Sequence, residues 1–328
     1  MTAITKSRPT HIAWPPQLRP IRLPDDLGPV ADLVELCFDA TLDADGRRFI
    51  RQMRQAASQK RAYPGTAGSF STAKGFVWAE NGRIVGNINL IPVTIQHRRA
   101  YLVANVAVHP DFRQQGIARA LTEAALDKIR SGRVGKALLQ VDMNNQHAQA
   151  LYRSYNFVER ARRTTWHSDG ICTLSMPPTV AVRERRRADW PNQRQWLEHF
   201  YNRHVRWNLP LDDSLYMPGI LGGLARAVND HRVSQWSAEH RGEWIGSLIW
   251  QSSYNQADWL WLSAPPEKLE LAACALIPHA RQELLSQNLI KPGRVLAINF
   301  PAGKFETTFE ALGFQNHNTL IWMQKDMD

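Results

Sequence analysis

Six consecutive residues, Arg113-Gln114-Gln115-Gly116-Ile117-Ala118, have the makings of an anion site. An apolar strand-like run, Val103 to Val108, precedes them and ends at His109-Pro110. After Gly116 come Ala118, Ala120, Leu121, Ala124, Ala125 and Leu126, apolar positions at helical spacing. The first turn of such a helix carries backbone N–H groups without partners and sits at the positive end of the helix dipole. Gly116 lets a phosphate approach the backbone closely, and Arg113 adds a positive charge at the mouth. A pyrophosphate is the natural guest of that arrangement.

A second set lies downstream: Asn145, Ala148, Tyr152 and Asn156-Phe157, on a strand–loop–helix–turn pattern. A tyrosine hydroxyl can give a proton to a leaving group; on an amphipathic helix it can equally be a packed aromatic. Asn156 follows the helix, where a left-handed cap is expected and asparagine tolerates it. For a general base the sequence offers His109, Glu80 and Asp142, each with a structural reading beside it, and a water relayed by backbone or by Asn105.

The first segment resembles the acetyl-CoA motif of the GNAT acetyltransferase superfamily, Q/R-x-x-G-x-G/A, and the second is similar to that family's N-x-x-A-x-x-x-Y-x-x-x-G-F. Asn156 stands where the family usually has glycine. The resemblance spans roughly residues 20–170 and implies a fold, a cofactor and roles. Backbone N–H groups of Gln114, Gln115, Gly116, Ile117 and Ala118, with Arg113, would hold the pyrophosphate of acetyl-CoA or another short acyl-CoA. Val106, Ala107 and Val108 would pair their backbone with the pantetheine arm, as a peptide adds to a sheet edge, where this strand splays from the one starting near Leu138. Asn145 and Ala148 would contact the cofactor, and Tyr152 would protonate the leaving thiolate. The implied activity is N-acyl transfer to a primary amine by direct attack, with backbone N–H groups stabilising the oxyanion.

The rest of the chain reads as a second copy of the elements that position these residues. Gly86, in a turn-plus-strand pattern, recurs as Gly246; Asn156-Phe157 recurs as Gly313-Phe314; Tyr152 aligns with Phe309. These matches lie at nearly one domain-sized spacing. The expected organisation is an N-terminal tail (1–18), an N-terminal GNAT domain (19–176) and a degenerate GNAT-like domain (177–328), each an α/β (α+β) unit with a mixed central sheet. The arrangement is similar to that of mycothiol synthase, whose substrate does not transfer. The second copy has Pro265, Pro266 and Glu267 where a phosphate loop would lie, an acidic and donor-poor stretch.

Composition supports a soluble, cytoplasmic class. The 328 residues are 44% hydrophobic and 21% charged, no apolar run is long enough to cross a bilayer, and no secretory signal opens the chain. Cys37, Cys172 and Cys274 are too far apart for a zinc or disulfide pattern. The net charge of +10 lies wholly in residues 1–176, with 24 Lys and Arg against 14 Asp and Glu. That suits a phosphorylated cofactor, and nucleic acid remains a weaker alternative without a motif. The basic clusters Arg160–Arg163 and Arg183–Arg187 read as solvated strand ends. Nine of twelve tryptophans fall in the second copy and read as packing, or as an aromatic wall for the acceptor. Residues 39–75, with a helix near 45–60, are expected to meet the amine acceptor, and a monomer is expected. The competing reading is a non-catalytic acyl-CoA sensor or scaffold.

Overall fold

The computed structural model describes residues 14–58, 74–95, 98–168, 176–228, 232–290 and 293–327. The chain forms two compact units by contact: residues 1–93, 98–138 and 326–328, and residues 94–97 with 139–325. Both are mixed α/β assemblies, each considered in turn.

The first unit begins with Trp14, edge-on to Phe76 at 4.8 Å, so the described end of the expected tail is docked, while residues 1–13 lie outside the described residues. Strand β1 (Leu18–Pro20) leads to helices α1 (Leu27–Phe38) and α2 (Ala44–Ser58). The helix expected near 45–60 is α2; residues 59–73 of the expected acceptor segment lie outside the described residues. Strands β2 (Lys74–Glu80), β3 (Arg83–Ile95) and β4 (Arg98–Val108) follow, then α3 (Ile117–Ser131) and β5 (Lys136–Asp142), of which Lys136–Leu138 belong here. The sheet order is β1-β2-β3-β4-β5. Asn81 and Gly82 both take positive φ, 49° and 80°, which closes the tight β2–β3 hairpin.

Gly86 lets α3 seat on this sheet. A Cβ there would stand 2.8 Å from Ile117 Cγ2 and 3.1 Å from Leu121 Cδ1, so only a bare backbone admits these two buried side chains. On the other face, Val30, Val34, Ile50 and Met53 of α1 and α2 form a core with Val77 and Ala107. Arg19 clamps Asp26 with two hydrogen bonds at 2.6 and 2.9 Å, and the Arg22 N–H donates to the same carboxylate, fixing the turn into α1.

The second unit takes up the rest of β5, then α4 (Gln146–Ser154), β6 (Val158–Ser168), β7 (Val180–Glu184), α5 (Trp190–Phe200), α6 (Asp213–Tyr216) and α7 (Ile220–Val228). Strands β8 (Val233–His240), β9 (Glu243–Gln251) and β10 (Ala257–Ser263), helix α8 (Leu269–Ser286), strand β11 (Val295–Pro301), helix α9 (Glu306–Ala311) and strand β12 (Gln315–Asp326) complete it. Its order is β5-β12-β6-β11-β10-β9-β8-β7. Strand β6 is antiparallel to both neighbours, pairing Trp166 with Ile298 of β11 and Thr164 with Thr319 of β12. The last strands of the two sequence copies are thus exchanged: β6 lies beside β11, and β12 lies beside β5.

The details of the first unit recur here. Arg241 and Gly242 turn the β8–β9 hairpin at φ 53° and 80°. Both hairpins slip register one step after the turn, between Trp78 and Ala79 and between Ala238 and Glu239. A Cβ on Gly246 would lie 2.8 Å from Ala272 Cβ of α8. Arg183 clamps Asp189 at 2.7 and 3.0 Å, with the Arg186 N–H on the same carboxylate. The tryptophans are chiefly core: Trp236, Trp250, Trp261 and Trp322 are buried. No helix among the described residues is long and apolar enough to cross a membrane.

Candidate functional site

Within strand β4, which runs through to Val108, Asn105 adopts φ 51°, a local kink in the extended backbone. Its carbonyl accepts from Asn87 Nδ2 at 2.8 Å. Because a carbonyl can only accept, that bond fixes the Asn87 amide, whose nitrogen also donates to Asn89 Oδ1 at 3.0 Å. Asn105 Nδ2 donates to the same Asn89 oxygen at 3.2 Å. Asn87 is fully buried, and its Oδ1 meets no donor among the described residues. Three amides therefore line the sheet at the kink. Asn87 and Asn89 were not singled out from sequence; their alternation on β3 was the available signal.

Beyond the kink, Val106 and Val108 are half-buried and Ala107 is buried. The ladder between β4 and β5 consists of Tyr101 with Ala137 and Leu102 with Leu138, so the β4 backbone from Val103 onward lies beyond it. The Val108 carbonyl accepts from Arg113 Nε at 3.2 Å and from Cys37 Sγ at 3.4 Å, which pins the Arg113 guanidinium at the strand end. Burial pushes the Cys37 thiol up in pKa, against the pull of Arg113.

The loop then exposes its backbone. Gln114 at φ 62° and Gly116 at φ 81° are both left-handed, with Arg113, Gln114, Gln115 and Gly116 exposed. Gly116 is the N-cap of α3, no side chain caps the helix, its first turn holds no acid, and Lys128 and Arg130 lie in its last turn. A Cβ on Gly116 would meet nothing within 4 Å, so the space above it is open. The Ile117 side chain is buried while Ala118 is half-buried, which leaves their amides, not their side chains, for a ligand. This donor set of amides plus one guanidinium suits a diphosphate.

His109 is structural. It is 8% exposed and meets the Phe112 ring edge-on at 5.7 Å. Arg83 Nη2 lies 2.9 Å from His109 Nε2, and His109 Nδ1 accepts from the Asp111 N–H at 3.3 Å, so both ring nitrogens are engaged locally. The other two base candidates also have local partners. Glu80 accepts from Trp78 Nε1 at 3.1 Å, and Asp142 accepts from the Asn144 N–H at 2.7 Å.

In the second unit, Asn145 is the N-cap of α4, its Oδ1 accepting from the Ala148 N–H at 3.0 Å. A bond from Asn145 to a cofactor would therefore be donated by Nδ2. Tyr152 is 6% exposed and edge-on to Phe157 at 5.9 Å. Burial pushes its hydroxyl up to about 12. Asn156 takes φ 60° as expected, and the Phe157 N–H closes back on the Tyr152 carbonyl at 3.1 Å. Gly313 at φ 79° and Phe314 N–H to Phe309 O at 2.9 Å repeat that cap.

The second unit is built differently at the strand pair that corresponds in sequence. The β10–β11 ladder ends at Trp259 with Ala297. Past it, Tyr201 packs edge-on against Trp261 at 5.3 Å, and Arg163 Nη2 donates to the Asn299 carbonyl at 2.8 Å. The α8 start has Glu270 in its first turn behind Pro265 and Pro266. Arg163, expected at a solvated strand end, is instead 3% exposed, with its remaining bonds to Asn299 Oδ1 and Phe200 O, both at 2.7 Å. Burial pulls its pKa down to about 10. The basic run Arg183–Arg187 is likewise partly engaged: Arg183 bridges Asp189 and Glu239, and Arg185 lies over the Trp190 ring at 5.8 Å.

Residues 43–157, which include the whole β4–loop–α3 arrangement, match the model of the acetyltransferase (GNAT) family. That stretch, about a third of the chain, is what carries the likeness to the GNAT acetyltransferase family. Among curated relatives, the [ribosomal protein bS18]-alanine N-acetyltransferase of Escherichia coli (strain K12) is 29% identical over 111 residues, covering 32% of this chain and 72% of that protein. N-alpha-acetyltransferase 30 of Schizosaccharomyces pombe is 29% identical over 98 residues, covering 29% of this chain and 64% of that protein. Two solved structures share the GNAT fold over nearly the full length. A tandem GNAT protein from the clavulanic acid biosynthesis pathway aligns at TM-score 0.51 and 16% identity, covering 95% of this chain and 98% of its own. A GCN5-related N-acetyltransferase from Sphaerobacter thermophilus aligns at TM-score 0.58 and 12% identity, covering 96% and 97%.

Proposed function

We propose that this protein transfers an acetyl group from acetyl-CoA to a primary amine, and that its cofactor site lies in the first of two tandem repeats, 19–176 and 177–328. The observation that carries the reading is the left-handed Gly116 at an uncapped helix start, with Arg113 pinned beside it. The amides of residues 114–118 and the Arg113 guanidinium would hold the pyrophosphate, and the β4 backbone at residues 106–108 would take the pantetheine arm. Asn145 and Ala148, at the start of α4, complete the proposed contacts. Acetyl-CoA supplies an activated acetyl group whose carbonyl carbon accepts the amine.

The chain's own residues handle protons sparingly. Tyr152 holds its proton to about pH 12 and is proposed as the hydrogen-bond donor to the leaving sulfur. Near the kink the structure offers amides, which do not titrate, and the three sequence-suggested bases are held in local bonds. The amine is therefore proposed to react from its own deprotonated fraction, with the Asn105 kink setting the backbone path beside it. Both named relatives act on α-amines by their names, so the α-amine of an alanine-initiated peptide is the first acceptor to test.

Isothermal calorimetry with CoA tests the site, and thiol release from acetyl-CoA in the presence of that peptide and a panel of small amines tests the reaction. Saturable CoA binding that Gly116→Glu abolishes is expected. Absence of binding to the unaltered protein rejects the reading; binding without turnover on any amine replaces it with an acyl-CoA sensor.

A further inference from the structure

A cavity of about 750 Å³ lies in the second unit, apart from the residues assigned to the cofactor. It is lined by the segment that follows α5, with Thr94 and Ile95 at its edge. Three features give it a chemical character.

One wall is aromatic and rigid. Trp207 is half-buried, packs edge-on at 4.9 Å against the buried Trp322, and donates Nε1–H to the His204 carbonyl at 2.7 Å. Its indole therefore has a fixed orientation, as a stacking surface needs.

The rim is cationic. Arg203 is exposed and pairs with no carboxylate among the described residues; Arg206 is held by Asp213 at 2.6 Å. The one lining acid, Glu198, is offset by Arg194 at 3.0 Å.

A positive charge also lies behind the lining residue Tyr201. Tyr201 is fully buried, and the Arg163 guanidinium lies 5.1 Å from its ring centre. All three Arg163 hydrogen bonds go to neutral acceptors, Asn299 Oδ1, Asn299 O and Phe200 O, so its charge is not compensated by a carboxylate. A buried charge of this kind projects its field through low-dielectric surroundings. A cavity with that buried charge and that rim attracts negative charge, and the Trp207 wall suits a flat apolar body.

We propose that this cavity receives an anionic group, a carboxylate or a phosphate, carried on a flat apolar portion of the acyl acceptor. The inference rests on the acetyl-transfer reading for the word acceptor, but the binding site itself does not. The second unit would then supply substrate recognition.

The test uses the full-length protein labelled at its tryptophan indoles and followed by nuclear magnetic resonance. Trp207→Phe assigns the Trp207 signal. The probes are phenylacetate, phenyl phosphate and the uncharged phenylacetamide. Saturable movement of the Trp207 signal is expected with at least one anion, with phenylacetamide weaker by about tenfold or more, the loss expected for one charge-assisted hydrogen bond. Arg203→Ala, on an exposed side chain, should reduce anion affinity by about tenfold while leaving CoA-induced shifts intact. The two anions compared with each other separate a carboxylate site from a phosphate site. Equal binding of phenylacetate and phenylacetamide, or no movement of Trp207 with any probe, overturns the proposal. CoA titrated into the same sample keeps the two claims apart. CoA shifts without anion shifts sink only the cavity, whereas anion shifts without CoA shifts sink only the acetyl-CoA reading.

Discussion

Removing one oxygen, by Tyr152→Phe, probes the proposed chemistry most directly. The hydroxyl is buried and its pKa is pushed up to about 12. A free thiol of the cysteine type has a reference pKa of about 8.5. Complete proton transfer from this tyrosine to a thiolate is therefore uphill by about 3.5 pH units, or about 5 kcal/mol. Tyr152 can stabilise charge developing on sulfur by hydrogen bonding, while full transfer is left to solvent after the bond breaks. A hydrogen bond to a charged group contributes about 1.5–3 kcal/mol. The expected loss in kcat is thus about 10- to 100-fold, below the upper range of general acid catalysis at about 10⁴-fold. The assay is thiol release from acetyl-CoA with saturating acceptor, at a series of pH values. Because the hydroxyl stays protonated, no falling limb below about pH 10 should trace to Tyr152. A rate loss smaller than about threefold refutes the donor role. A falling limb near pH 9 that vanishes in Tyr152→Phe refutes the protonation argument.

Three further outcomes are expected. With an α-amine acceptor, kcat/KM should rise with pH and level off near about 8, the amine's own pKa; a plateau reached below about pH 6.5 would show that the protein supplies a base after all. Gly86→Ala and Gly246→Ala should each destabilise the fold by about 1–3 kcal/mol through overpacking. Gly246 should cost more, because its new Cβ meets Ala272 Cβ at 2.8 Å, Ala264 Cβ at 2.9 Å and the Ser263 carbonyl at 3.2 Å, none of which can swing away; equal urea midpoints for both variants and the parent would contradict the packing. For Asp26 and Asp189, burial pushes the carboxyls up, but the bonds from Arg19 and Arg183 and from backbone N–H groups outweigh it and hold both below the usual range. Their folded pKa values are depressed, so the stabilisation is complete above about pH 4 and is lost as pH falls through the folded values. Asp26→Asn should therefore flatten the fall in urea midpoint between about pH 5 and pH 2, and an unchanged slope would assign acid sensitivity elsewhere.

Local rules carried much of the structure into the sequence. The Gly86–Gly246 match is legible because only a residue without Cβ admits a helix there, and Asn156 and Gly313 match because both tolerate positive φ. The loop before α3 was readable for the same reason. What escaped depends on pairing between distant residues. Nothing local marks β6 as the neighbour of β11 and β12, since strand pattern sets which face is buried and not which strand lies alongside. Arg163 looked like a solvated end because its buried acceptors, Phe200 O and Asn299, come from remote segments. His109 stood out as a base candidate because its partner Arg83, 26 residues away, is not apparent from the local sequence. The Asn105 kink also hides in the sequence, because a single asparagine in a strand does not declare its φ.

The exchange of final strands has a consequence for biosynthesis and for truncation. As the chain leaves the ribosome, β5 and β6 are complete long before β12, the strand that comes to lie between them. Until then β6 presents open edges of the kind that invite wrong partners, and sheet closure waits on contacts distant in sequence, which form slowly. A chain whose two halves share strands in this way cannot shed either half without leaving a strand of the other unpaired.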